Sequence, residues 1–296
     1  MKNVSPVLQA LLLRYMRGEI RTLYCDDLYE FTLNSGRVLR FTKHDTDLKV
    51  GGNVYKSWPF DGGDITEQVG TDETEMTLTV YYKPTDEVIS GVTWANALRG
   101  GMFDNCYLSV DRVYQSTPWS YLPSPISSDY VLKGRFVGRV DVGEAKLTKC
   151  DMTVKSPLGL LDTKVPRNLI IPSCGNVLFD PATCMLNKAS YAVSGVVGTG
   201  SGRTSIVTGF GHADGYFEQG FMLFTSGDNI DIQRTIGTFS GGVASFFQPL
   251  PFDVSAGDTF VAYPGCKRTM EDCVNKYNNL AHFKGFPYVP SPESVL

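Results

Sequence analysis

Seven cysteines stand in the 296-residue chain, and four of them fall into two pairs that could share one site. Cys174 and Cys184 have nine residues between them, Cys266 and Cys273 have six, and eighty-one residues separate the pairs. Thiolates brought from two distant segments suit a tetrahedral zinc ion or a [4Fe–4S] cluster, both of which are held by sulfur. Structural zinc usually sits on knuckles with about two to four intervening residues, and neither pair is so short. A cubane is larger than one ion and tolerates widely spaced ligands. Spacing alone leaves zinc, disulfides and free thiols open beside the cluster, because cysteine is among the most buried residue types. Lys267, Arg268 and Lys276 stand beside the second pair, where positive charge would balance an anionic centre. Cys25, Cys106 and Cys150 lie in or beside β-like runs and read as ordinary core or surface thiols. The odd count and the chain length disfavour a small secreted disulfide framework. With no clear export signal, the expected compartment is a reducing cytosol.

Signals for enzyme chemistry are poor. His44, His212 and His282 are the three histidines, and none belongs to a metal-binding H-E-x-x-H pattern. No G-x-S-x-G elbow or phosphate-binding loop occurs. The run Gly198-Thr199-Gly200-Ser201-Gly202 lies between β-like runs and reads as a turn. Asp45 and Asp47 read as a surface turn before they read as a metal pair. The net charge of −4 disfavours a general nucleic-acid binder. At 42% apolar and 20% charged residues the chain is neither disordered nor fibrous. Its longest apolar runs, such as Ala10 to Leu13, fall far short of the ~18 residues of a membrane helix.

The elements that must position the cysteines are mostly strands. Leu8, Leu11, Leu12, Tyr15 and Met16 recur at helical spacing and predict one amphipathic helix near the start. Two strands then flank Asn34-Ser35-Gly36. Clean alternation follows at Met76, Leu78 and Val80 and at Cys106, Leu108 and Val110, and a hairpin is expected across Gly143. A short helix around Trp94 should stop at Gly100 and Gly101. Residues 116–128 are rich in Pro and Ser and read as a long surface loop. Eight acids face one base between 61 and 90, a solvated face or a contact with a basic neighbouring ring. From Tyr191 to Tyr263 six short β runs predict a small barrel or sandwich. Residues 266–279 predict a helix with Thr269 as its cap and Asp272 completing an approximate capping box. That helix would turn its positive end toward Cys273. Residues 280–294 form a Gly- and Pro-rich tail that could cross a neighbour or fold back.

The C-terminal motif resembles that of tail hub proteins of siphophages and gene transfer agents. The resembling elements are Pro249-Leu250-Pro251-Phe252, Ala256-Gly257-Asp258-Thr259-Phe260, Gly265-Cys266, Cys273, Asn278-Asn279, Phe283 and Gly285-Phe286-Pro287. The segment 28–55 and the run Val165 to Cys174 are similar to that family too, so the likeness covers essentially the whole chain. The resemblance implies a mainly β, multidomain protein with barrel-like hub domains and a small cysteine-ligated iron–sulfur domain carrying an inserted β-barrel. The implied domains are 1–165, 166–188 with 264–296, and 189–263. It implies a homotrimeric structural hub of a long non-contractile tail, not an enzyme. The implied partners are the distal tail protein and the central tip or receptor-binding protein, with the tape measure protein as a further neighbour. The implied location is the virion tail tip, assembled in the bacterial cytoplasm. A relative in role, the tail tip protein L of phage lambda, carries an Fe–S cluster on four cysteines. Carried over, the ligands here are Cys174, Cys184, Cys266 and Cys273, with His282 a departure beside the site. An Fe–S redox protein is one alternative. A carbohydrate-binding module is another, with Tyr216, Phe217, Phe221, Phe224, Phe246 and Phe247 as its candidate aromatics.

Overall fold

The computed structural model describes residues 4–63, 74–89, 91–119, 125–157 and 170–289. The chain forms two compact units, 1–162 and 163–296, and is mainly β. Four of the eight acids expected between 61 and 90 fall at 64–73, outside the described residues, as do 120–124 of the Pro- and Ser-rich loop. No helix among the described residues is long and apolar enough to cross a membrane.

The first unit opens with helix α1 (Pro6–Met16), whose Ser5 hydroxyl caps the Leu8 amide and whose Pro6 sits where no N–H is needed. Leu8 and Leu11 are buried, whereas Tyr15 and Met16 are exposed. The helix therefore buries a narrower stripe than its apolar spacing predicted. The strands of this unit are β1 (Tyr24–Thr32), β2 (Val38–Thr42), β3 (Leu48–Val50), β4 (Asn53–Ser57), β5 (Phe60–Gly62) and β6 (Glu75–Tyr81). The small hairpin β7 (Glu87–Ile89) and β8 (Val92–Thr93) leads into helix α2 (Trp94–Arg99), which Gly100 and Gly101 end as expected. Strands β9 (Tyr107–Gln115), β10 (Val131–Ala145) and β11 (Lys149–Lys155) complete a nine-stranded sheet of order β3-β4-β2-β1-β9-β10-β11-β6-β5. The sheet curls, because Phe60 on one edge strand packs 6.2 Å from Phe31 of β1 and 5.6 Å from Phe41 of β2. Trp94 and Phe103 fill the interior, stacked 5.3 Å apart.

Gly143 is not a turn. The chain turns at 146–148, and Gly143 lies inside β10 at a bulge between Val142 and Ala145. A Cβ there would come 2.7 Å from the Asp151 carbonyl oxygen, so the glycine marks a close approach of strands. On the same sheet, Asp27 is buried and receives bidentate bonds of 2.6 and 2.8 Å from Arg112. A second guanidinium, Arg135, reaches it at 2.8 Å. Burial raises the Asp27 carboxyl, and the two guanidiniums more than offset this, holding it below the usual aspartate value.

In the second unit, β12 (Val193–Val196), β13 (Ser205–Val207), β14 (Phe221–Phe224), β15 (Gln233–Ser240), β16 (Val243–Phe246) and β17 (Thr259–Tyr263) form a six-stranded sheet of order β12-β17-β14-β15-β16-β13. Just past β12, the Gly198 amide donates to the Val207 carbonyl of β13 at 2.8 Å, so the two sheet ends meet. Phe217, Phe224, Phe239 and Phe260 fill the enclosed core. The two cysteine-bearing segments lie on either side of these strands in sequence and complete the same compact unit.

Candidate metal centre

The four paired cysteines line one cavity of about 360 Å³ within the second unit. Cys174 and Cys273 are buried, and Cys184 and Cys266 are half-buried. The backbone laces the two segments together. The Cys174 amide donates to the Arg268 carbonyl at 2.8 Å, and the Phe286 amide donates to the Ile171 carbonyl at 2.9 Å. The start of the C-terminal tail thus folds back on the first cysteine segment.

Three of the four sulfurs accept N–H groups. The Arg268 amide points at Cys266 Sγ at 3.3 Å, and the Lys284 amide at Cys174 Sγ at 3.3 Å. Asn279 Nδ2 lies 3.6 Å from Cys184 Sγ. The fourth thiol, Cys273, donates to the Asn279 carbonyl at 3.2 Å. Donors aimed at sulfur stabilise thiolates and tune the metals they hold. These donors do not come from a helix N-terminus, as the sequence reading expected. Thr269 caps the Asp272 amide at 3.2 Å, yet the α-turn gives way to a π-helical turn, Asp272–Lys276, too short for a useful dipole. The Asp272 carboxylate reaches back to the Lys267 amide at 2.8 Å, in a widened version of the expected box.

Strain gathers at the same place. Seven non-glycine residues adopt positive φ among the described residues, and Phe179, Gln219 and Arg268 of these line the cavity. Met185 follows Cys184, and Asn278 precedes Asn279, with positive φ as well. Each such conformation costs on the order of 1–3 kcal/mol, and such residues concentrate at functional sites. Arg268 adopts a φ of 59°, and its amide donates to the sulfur two residues earlier. Gly220 and Gly265 permit the closest approach. A Cβ on Gly265 would lie 2.0 Å from the Glu218 carbonyl oxygen, and one on Gly220 would lie 2.1 Å from that of Tyr263. This contact sets Gln219, Gly220 and Phe221 against Cys266 around the cavity.

The electrostatics fit a cationic occupant. Burial pushes the Cys266 thiol up; the Arg268 amide opposes this, while Asp272, Cys174 and Cys184 add to it. Burial raises Cys273 as well, followed by Cys174, Cys266 and Cys184. Cys266 and Cys273 thus disfavour the thiolate form on their own, and a multiply charged metal would supply the missing positive charge. Among the described residues, however, no three His, Cys, Asp or Glu side chains form a ready-made group for a metal ion. The thiols are gathered but not converged. Of the three expected cations, Arg268 lines the cavity, while Lys267 turns to Glu218 at 3.6 Å. Lys276 donates to the Gly265 carbonyl at 2.7 Å and sits 4.7 Å over the Tyr216 ring.

His282 also lines the cavity, with Nδ1 2.8 Å from Asn279 Oδ1. Asn279 Nδ2 reaches the Cys184 carbonyl at 2.8 Å, and Asn176 Nδ2 reaches the His282 carbonyl at 2.7 Å. Sequence reasoning gave these asparagines no role. They act between segments roughly a hundred residues apart, which no local periodicity records.

The other sequence candidates lie elsewhere. Cys106 and Cys150 are buried in the first unit, where burial first raises both thiols, Cys106 to about 12 and Cys150 to about 11. Asp47 accepts the Ser57 amide at 2.8 Å, and His44 bonds Thr46 in the same turn. His212 stacks on Tyr216 at 4.7 Å. Of the six barrel aromatics, Phe217 and Phe224 are core, Tyr216, Phe221 and Phe246 are half-buried, and Phe247 is exposed.

Comparison with known proteins gives four results. Residues 215–293 match the family described as phage conserved hypothetical protein BR0599. The fold is similar to a chain in the virion of a native gene transfer agent particle, with TM-score 0.67 and 21% identity. That likeness covers 96% of this chain and 94% of the other. No curated protein matches. Residues 10–187, more than half of the chain, match the baseplate hub protein N-terminal attachment domain. The chain therefore belongs to the phage baseplate hub protein family, as a structural component of the virion.

Proposed function

We propose that the chain is a tail-tip hub whose second unit is held by a structural [4Fe–4S] cluster on Cys174, Cys184, Cys266 and Cys273. The observation that carries this reading is the single cavity lined by all four cysteines, with N–H donors directed at three of the sulfurs. The cavity's volume exceeds that of one ion, which favours a cubane over zinc. When bound, the cluster would supply a covalent cross-link between the segments that flank the barrel. Pro172, Gly175, Pro264 and Gly265 interrupt regular structure around the ligands, so such a link adds folding energy where ladders are short. With all four irons ligated by protein, the cluster is structural. The hub is a homotrimer joining the distal tail protein to the central tip protein, and it resides at the tail tip.

The test is anaerobic purification of the full chain, followed by absorption spectroscopy and iron, sulfide and zinc analysis. About four irons and four sulfides per chain are expected, with a charge-transfer band that is lost when any of the four cysteines becomes serine. One zinc per chain would replace the cluster by a single ion. No metal, with four titratable thiols, would overturn the reading. Sedimentation of the same sample reports the trimer.

A further inference from the structure

We propose that Asn279 is the positioning residue of the cysteine centre, holding one cysteine from each segment in register for the metal. The inference rests on the reading of the four thiols as a metal site. The backbone amide of Asn279 donates to the Cys273 carbonyl at 2.8 Å, and its carbonyl receives the Cys273 thiol at 3.2 Å. Its side chain crosses to the other segment, with Nδ2 2.8 Å from the Cys184 carbonyl and 3.6 Å from Cys184 Sγ. The remaining amide atom, Oδ1, lies 2.8 Å from His282 Nδ1. One residue thus touches both cysteines and the histidine of the cavity. Asn176 makes the reciprocal tie, from the first segment to the His282 carbonyl at 2.7 Å and to its own Thr183 carbonyl at 3.2 Å.

An amide is suited to this place. It offers a donor to Cys184 and an acceptor to His282 from two separate atoms, whereas a hydroxyl has one oxygen for both and an ionised carboxylate has no donor. Groups that orient metal ligands typically change metal affinity about 10–100-fold when removed.

The experiment compares the full chain with Asn279→Ala and Asn279→Asp after anaerobic loading with ferrous iron and sulfide. Asn279→Asp keeps the volume and an acceptor for His282 while setting an oxygen against the Cys184 carbonyl. Asn187→Ala, which removes a turn cap outside the cavity, is the control. Amide exchange over β15 reports folding separately. Both Asn279 variants are expected to lose iron to a chelator ~10–100-fold faster than the full chain and the control. The cluster in Asn279→Ala is expected at a lower reduction potential, because one N–H donor to sulfur is gone. If Asn279→Ala fails to fold, Asn279→Asp carries the comparison. A full chain that loads, with both variants releasing iron at its rate and potential, overturns the positioning role. A full chain that takes up neither iron nor sulfide overturns the metal reading beneath it.

Discussion

Replacing Gly265 with alanine should open the second unit at the point where the cysteine segment meets the barrel. The added Cβ would lie 2.0 Å from the Glu218 carbonyl oxygen and 2.2 Å from both the Gln219 carbon and the Gly220 nitrogen. All three are backbone atoms, so no side chain can swing aside. Ordinary contact begins near 3.4 Å, and the shortfall is 3.4 − 2.0 = 1.4 Å, which the 218–220 loop has to yield. Overpacking of this kind costs ~1–3 kcal/mol. Retreat also strains the bonds of Lys276 and Tyr277 to the Gly265 carbonyl, at 2.7 and 2.8 Å. A hydrogen bond from a charged group contributes ~1.5–3 kcal/mol and a neutral one ~0.5–1.5 kcal/mol. Partial loss of both brings the total to about 3 kcal/mol. Amide exchange by mass spectrometry reads this locally, whereas tryptophan emission does not, since Trp58, Trp94 and Trp119 all lie in the first unit. The Ile236 amide, bonded to the Gly220 carbonyl at 2.8 Å, should exchange roughly 10²-fold faster, while β1 is unchanged. An Ile236 rate within threefold of the unsubstituted chain would refute the rigid glycine contact.

Asp27→Asn should cost ~3–5 kcal/mol, because it leaves Arg112 and Arg135 partly buried beside a neutral amide; urea unfolding followed by tryptophan emission measures it. The folded carboxyl of Asp27 lies below its unfolded value, so its contribution is complete above about pH 4 and is lost as pH falls through the folded value. The unsubstituted chain should therefore lose stability below about pH 4 with a steeper slope than Asp27→Asn, and equal slopes would disprove the pairing. Cys106→Ser should destabilise the first unit by ~1–3 kcal/mol through a buried hydroxyl without changing metal content, whereas Cys273→Ser should abolish metal uptake. The two responses are separated by metal analysis beside chemical unfolding.

Period-two alternation located β6 and β9, and the turn residues at 34–36 located the β1–β2 hairpin, because these signals come from neighbours in sequence. The pairing of Cys174 and Cys184 with Cys266 and Cys273 was legible for a similar reason: scarce residue types in two clusters stand out by count and spacing. Gly143 was misread because a turn glycine and a bulge glycine look alike until the strand beside it is known. The helix at Cys273 was misread because propensity does not show where a short turn widens to satisfy carbonyls such as that of Gly265. Asn176 and Gly220 had no local signal, and Asn279 entered only as part of the resembling C-terminal motif, with no partner assigned to it. Their roles depend on a backbone or a sulfur far away in sequence, and only the fold brings those partners within bonding distance. Residue chemistry and local periodicity thus determined the β character of the chain and its candidate ligands. Tertiary packing alone decided that the four thiols share one cavity, that two backbone amides and one asparagine side chain rather than a helix end face three of the sulfurs, and that two asparagines tie the segments together. Hydrogen bonds act over about 3 Å in space, whatever the separation along the chain.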